Sequence, residues 1–218
     1  IYLSDDQREE AARIVIEQAK GRVDVIVQAT SNSTANTIRL VKAARDDGAD
    51  AVSVVAPYFY PIDELGLEKH YTMLAKAVPG FPVYLYNNPG RSASGLSSSL
   101  VGRLTEKVDN IVGIKDSSKD LILFQEYIEV GGPNFTAVIG TDGLVFPSMM
   151  LGGTGVVSAV ANPFPELMVA LYKAICEKDY DKARQLQVLV NKLRVVLKIG
   201  PYLAAYKEIL KLRGRNFP

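Results

Sequence analysis

The sequence holds a single cysteine, Cys176, a single histidine, His70, and no tryptophan in 218 residues. One cysteine excludes an intrachain disulfide framework, and one of each excludes a zinc site built from His and Cys ligands. A Ser–His or Cys–His catalytic pair is also out of reach unless His70 supplies the base. Neither charge is in surplus: 25 Lys and Arg face 24 Asp and Glu, a formal net charge of +1. That balance argues against a nucleic-acid binder, which needs cations to displace condensed counterions. Runs approaching the ~18 apolar residues of a membrane span are missing, as is a charged-then-apolar leader. What remains is ordinary globular composition, 48% apolar and 22% charged, in a chain long enough to close one core or two. The sequence starts at Ile1 rather than Met and stops at Asn216-Phe217-Pro218 just after a helical pattern, so it reads as a fragment of a longer chain.

Helix and strand signals alternate along it. Ser4 and Gln7 form a capping box that opens a helix over about 5–20. A β-branched run at 23–27 follows. Ser33 caps a helix with Ile38, Val41 and Ala44 on one face, ended by Gly48. Strands are expected at 51–55, 83–86, 111–114, 136–139 and 156–157, with helices opened by Asp63 and Ser97 and one carried on Leu121, Phe124 and Ile128. A short helix is expected at 144–151. The six strands are apolar on both faces, the mark of a parallel sheet covered by helices. From Pro165 the strands stop and three helices are expected, over about 165–177, 179–197 and 201–213. The domain reading is therefore 1–164 as βα units and 165–218 as C-terminal helices on the same domain. Unit spacing suits either a doubly wound sheet or a barrel.

Reactive groups in such folds sit at the carboxyl ends of strands. Lys115 closes the apolar strand Ile111-Val112-Gly113-Ile114, where desolvation favours the neutral amine that attacks a ketone to form a Schiff base. The bland alternative is a lysine that snorkels to a loop or pairs with Asp116. Tyr86 ends another strand with a phenol able to pass protons. Arg91 follows on a Pro-Gly turn, where its planar fork can grip a carboxylate at two points. For either residue alone, packing or a solvated turn is the plainer account. Gly140-Thr141-Asp142-Gly143 and Gly152-Gly153-Thr154-Gly155 could cradle a phosphate, but neither has the spacing of a nucleotide-binding loop. Tyr58, Phe59 and Tyr60 at a strand end suggest a pocket or subunit contact, with core packing as the default. His70, Met149, Met150 and Cys176 sit in helical pattern and read as structural or core residues.

Four strings in one register, Tyr86-Asn87-x-Pro-x-Arg91, Gly113-Ile114-Lys115-Asp116, Gly140-x-Asp142 and Leu151-Gly-Gly-x-Gly-Val-Val157-Ser158, resemble the dihydrodipicolinate synthase/N-acetylneuraminate lyase family. The likeness runs from about Leu3 to the end. It implies an α/β fold, a (β/α)8 TIM barrel with a C-terminal helical extension, whose first two strands precede Ile1. It also implies a class I, metal-independent mechanism with no cofactor beyond a covalent imine between Lys115 and pyruvate or another 2-keto acid. Carried over, Lys115 is the Schiff-base lysine and Tyr86 the proton donor and acceptor. Gly140 and Val157 line the pyruvate pocket through their backbones, and Arg91 matches the arginine that holds the carboxylate of aspartate semialdehyde in the synthase branch.

Three departures stand out. Phe59 replaces the tyrosine that usually reaches into a neighbouring subunit's site, and Tyr58 and Tyr60 would point elsewhere on an extended segment. Ala93 replaces a glycine. The carboxylate-binding Gly-Thr-Thr-Gly-Glu loop is absent and belongs just before Ile1. The implied function is a pyruvate-condensing lyase, leading with dihydrodipicolinate synthase, followed by a 2-keto-3-deoxygluconate-type aldolase and then a non-catalytic keto-acid-binding barrel. A phosphate-binding isomerase rests on the glycine turns alone. The expected partners are small-molecule substrates, pyruvate and an aldehyde, with no nucleic acid and no membrane. The expected setting is a cytoplasmic homo-oligomer, dimer or tetramer.

Overall fold

The computed structural model describes residues 3–201 and 203–215. The expected chain ends at Ile1 and Asn216–Pro218 lie outside them. Two compact units emerge, residues 1–137 and 138–218, and the division between them falls inside the strand at 136–139.

The first unit opens with α1 (Asp5–Ala19) and continues through β1 (Ile26–Gln28), α2 (Thr34–Asp46), β2 (Ala51–Val55), α3 (Glu64–Lys76) and β3 (Val83–Asn87). It ends with the single turn α4 (Pro89–Ser92), α5 (Ser98–Lys107), β4 (Ile111–Asp116), α6 (Leu121–Gly131) and the start of β5 (Thr136–Ile139). Five of these helices begin as their caps dictate: Ser4, Ser33, Asp63, Ser97 and Asp120 each accept a backbone N–H of the first turn. β1 to β4 pair in parallel, each with the next. One face of that sheet, carrying Val52, Val54, Leu85 and Ile114, lies buried under Leu40, Val41, Leu67, Tyr71, Leu100, Leu104 and Phe124 of the helices. Each such side chain contributes about 1.5–3 kcal/mol by leaving water.

The sheet's key irregularity is in β4. Val83 pairs with Ile111 but Tyr84 with Gly113, so Val112 is an extra residue in the ladder. Side chains alternate across a strand, and one extra residue turns every later one to the other face. Gly113, Lys115, Tyr84 and Tyr86 thus share the face away from the helices. Gly113 has no alternative there, because a Cβ would sit 2.5 Å from the Tyr84 ring and 2.4 Å from the Thr136 carbonyl oxygen.

The second unit holds the end of β5, a 3-10 turn at Asp142–Leu144, α7 (Val145–Met150), β6 (Gly155–Val156), α8 (Pro165–Cys176), α9 (Tyr180–Val196) and α10 (Ala204–Leu212). β5 and β6 are parallel, with Ile139 opposite Val156. α8 and α9 pack together through Met168, Leu171 and Ala174 on one side and Ala183 and Val190 on the other, all buried. Met150 and Cys176, expected in the core, are exposed, and Met149 is half-buried. Each lies off the buried stripe of its helix, a difference that a short apolar run does not reveal.

Candidate active site

Tyr86 and Lys115 are cross-strand neighbours near the carboxyl ends of β3 and β4. The Lys115 Nζ stands 3.8 Å from the centroid of the Tyr86 ring, a cation over the ring's negative face. The Tyr86 hydroxyl accepts a hydrogen bond from Asn88 Nδ2 at 2.9 Å and a long one from Ser117 Oγ at 3.5 Å. Both neighbours donate, so neither engages the phenolic proton. Burial by itself raises the pKa of Tyr86. The Ser117 hydroxyl, the Lys115 ammonium and the Asn88 amide together outweigh it, and the phenol lies below its ordinary value. A phenol that loses and regains its proton more readily is suited to general acid–base work.

The next residue on each strand faces the helices and braces the pair from behind. Asn87 and Asp116 are fully buried, and Asn87 Nδ2 donates to Asp116 Oδ1 at 2.7 Å. Asn87 Oδ1 accepts from Leu96 N at 3.0 Å, while Ser118 donates to Asp116 from both its backbone N–H and its hydroxyl. Burial raises the pKa of Asp116 against these hydrogen bonds. No ion pair joins Asp116 to Lys115, since the two side chains leave opposite faces of β4. The pairing alternative for Lys115 is thereby removed.

A cavity of about 280 Å³ opens beside Tyr86, lined also by Arg8, Thr30, Tyr58, Asn88 and Arg91. Arg91 is carried on α4, whose first position is Pro89. It is exposed, with no ion-pair partner among the described residues. Ala93 ends that turn at φ +57°, a left-handed conformation that glycine adopts freely and that costs an L-residue roughly 1–2 kcal/mol. Tyr58 reaches the cavity, its N–H held by Asn32 Oδ1 at 2.8 Å. Phe59 does not line it. That side chain is 77% exposed and stacks edge-on with Tyr60, also exposed, at 4.8 Å. The extended segment expected here breaks at Phe59, whose φ is +89°.

In the second unit Gly140 follows β5, and Val157 N donates to Ile139 O at 2.9 Å, so these two backbone segments run side by side. The Gly152-Gly153 string is a helix end: its N–H groups donate to Met149 and Ser148 carbonyls, with Gly152 at φ +101°. Donors already engaged cannot hold a phosphate, and the plain-turn account applies. His70 lies buried with Nδ1 2.8 Å from Thr34 Oγ1, and desolvation takes its pKa down to about 4. No cluster of His, Cys, Asp or Glu among the described residues could hold a metal ion, and no described helix is long and apolar enough to cross a membrane. Asn88, Ser117 and Arg8 belong to none of the motifs that single out Lys115, Tyr86 and Arg91. The Asn-Asn pair after a strand was the one available signal.

The model of the dihydrodipicolinate synthetase family matches residues 1–217. The chain belongs to this family. An uncharacterized DapA-like lyase of Halobacterium salinarum is 39% identical over 212 residues, covering 97% of this chain and 69% of its own. A 4-hydroxy-tetrahydrodipicolinate synthase of Methanosphaerula palustris is 38% identical over 213 residues, covering 97% and 72%. Among solved structures, the 4-hydroxy-tetrahydrodipicolinate synthase of Methylacidiphilum fumariolicum matches with a TM-score of 0.94 at 32% identity, over 99% of this chain and 72% of that one. A prophage protein of the family from E. coli K12, solved in complex with pyruvate, matches with a TM-score of 0.93 at 30% identity, over 98% and 73%. Membership makes the fold the TIM-barrel-like one of these enzymes and places the chain among lyases and synthases.

Proposed function

We propose that this family member condenses pyruvate with an aldehyde through a Schiff base on Lys115, acting as a 4-hydroxy-tetrahydrodipicolinate synthase on aspartate semialdehyde. The observation that carries the reading is the Lys115 amine 3.8 Å from the Tyr86 ring centre, in register at adjoining strand ends. The neutral amine attacks the C2 carbonyl of pyruvate and water leaves, giving an iminium that draws electrons from the methyl group. The Tyr86 oxygen takes a methyl proton to give an enamine whose carbon attacks the aldehyde, and the Tyr86 hydroxyl returns that proton to the nascent alkoxide. Attack of the aldehyde substrate's own amino group on the iminium carbon releases Lys115. The electron sink is the iminium, so the reading requires no metal and no separate cofactor. Arg91, beside the Tyr86 cavity and without an ion-pair partner among the described residues, supplies two-point recognition of the second substrate's carboxylate. Gly140 and Val157 enter on the family resemblance alone, as backbone contacts to the keto acid, as do the two strands placed before Ile1 and an oligomer in the cytoplasm.

A second reading, a 2-keto-3-deoxygluconate-type aldolase, is favoured by one observation: Phe59 brings no hydroxyl to a proton relay. Borohydride reduction in the presence of pyruvate tests the shared chemistry. Full-length protein should gain one reduced pyruvyl group, mapped to Lys115. A label elsewhere, or none, refutes the mechanism. Comparing turnover with aspartate semialdehyde plus pyruvate against cleavage of 2-keto-3-deoxygluconate then chooses between the two activities.

A further inference from the structure

The loop after β5 is held by a helix more than forty residues further on. Gln187 of α9 is 7% exposed, and its amide serves two backbone groups of the 142–146 segment. Gln187 Nε2 donates to Asp142 O at 2.9 Å, and Gln187 Oε1 accepts from Phe146 N at 2.9 Å. The Asp142 side chain, also buried, accepts a hydrogen bond from Ser158 Oγ. That hydroxyl in turn accepts from Ala161 N at 3.0 Å. Asp142 lies two residues after Gly140 and Ser158 follows Val157 directly. One carboxylate therefore ties together the two backbone segments to which the family resemblance gives the keto acid.

The fit against α9 is close. A methyl group at Gly143 would lie 2.3 Å from an Arg194 guanidinium nitrogen and 3.1 Å from Asn191 Oδ1. Gln187, Asn191 and Arg194 are spaced i, i+4, i+7, one face of the helix. Gln187 also donates to Asn191 Oδ1 at 3.2 Å, which fixes the amide's orientation. A buried amide whose partners are all satisfied holds one geometry, because any displacement strands a polar group away from water.

We infer that Gln187 is a positioning residue for keto-acid binding: through Asp142 and Ser158 it sets the backbone of Gly140 and Val157, making the C-terminal helix α9 part of the substrate site's frame. This rests on the proposed keto-acid reading of those two backbones. The test uses the full-length protein and three variants. Gln187→Leu removes both hydrogen bonds at similar volume, and Ser158→Ala removes the donor to Asp142. Ser148→Ala is the control, removing a buried hydroxyl that donates to Val145 O at 3.0 Å in the same unit but outside the network. Pyruvate is titrated in the borohydride reaction, and amide hydrogen exchange is followed by mass spectrometry.

In Gln187→Leu and Ser158→Ala the pyruvate concentration for half-maximal labelling should rise roughly two- to tenfold, the worth of a hydrogen bond or two, with KM for the aldehyde unchanged. Exchange should quicken in peptides covering 140–146 and 156–161 but not in α8. Ser148→Ala should lower Tm while leaving both readouts at the wild-type value. Unchanged exchange in the two segments overturns the inference, as does a pyruvate shift equal to that of Ser148→Ala. Should Gln187→Leu fail to fold, Ser158→Ala alone decides by the same criteria. Wild-type protein that captures no pyruvate refutes the Schiff-base reading, and the exchange data still judge Gln187.

Discussion

The two faces of the β3–β4 sheet carry residues that are adjacent in sequence yet live in opposite physical regimes. Tyr86 and Lys115 are half-buried on one face, while Asn87 and Asp116 are fully buried on the other, under helices. On the covered face desolvation wins: Asp116 is pushed up, and Tyr71 and Tyr127 are pushed far above the usual phenol range. On the other face a neighbouring cation and two hydrogen-bond donors win against partial burial, and Tyr86 moves down. The lesson is a division of labour set by solvent access. Groups that must exchange protons stand where charge is supported, and groups that must stay put stand where changing protonation is costly.

Substitutions can break this contrast, and the largest effect is expected at Lys115. Lys115→Ala should lower kcat/KM by roughly 10⁴–10⁶-fold, as loss of a nucleophile does, with Tm nearly unchanged because the side chain is not core. A variant that retains turnover and still binds pyruvate would move the chemistry off this face. Tyr86→Phe comes next, with kcat expected to fall by roughly 10²–10⁴-fold. Stability should change by no more than about 1 kcal/mol. Because the Tyr86 pKa is lowered, the alkaline limb of the wild-type rate profile should fall below the range of a free phenol, and that limb should vanish in the variant.

A buried group between α2 and α3 predicts a stability effect instead. His70 titrates at about 4 when folded, against 6.5 for the free side chain, so the unfolded chain takes up the proton first as pH drops. Stability should therefore decline between pH 6.5 and about 4, by on the order of 3 kcal/mol, and level off below that. Urea unfolding across pH 4–7 measures it, and His70→Gln should flatten this component while leaving kcat near normal. The smallest expected effect belongs to Arg91, outside the sheet. Arg91→Ala should raise KM for aspartate semialdehyde about ten- to a hundredfold with little change for pyruvate, and Arg91→Lys should not restore it. A silent Arg91→Ala, together with no gain from Phe59→Tyr, would favour the sugar-acid aldolase.

Much of this is legible in the sequence. Caps at Ser4, Ser33, Asp63 and Ser97, and apolar stripes such as Leu67, Tyr71 and Leu74, are local signals, so the order of helices and strands follows from short stretches of sequence. Lys115 and Tyr86 could be singled out because a lysine and a tyrosine at the ends of apolar strands are chemically conspicuous. Their partnership was not legible. Strict alternation from Ile111 would turn Lys115 toward the helices, and only the extra residue Val112, a matter of pairing between two strands, brings it beside Tyr86. The same holds for Cys176, placed outward by how α8 packs, and for Gln187, whose backbone partners lie 41 and 45 residues away. Local sequence determined which elements form and which reactive groups they carry. Register, facing and the long-range hydrogen bonds were decided by tertiary structure, because each depends on contacts between segments that no window of sequence contains.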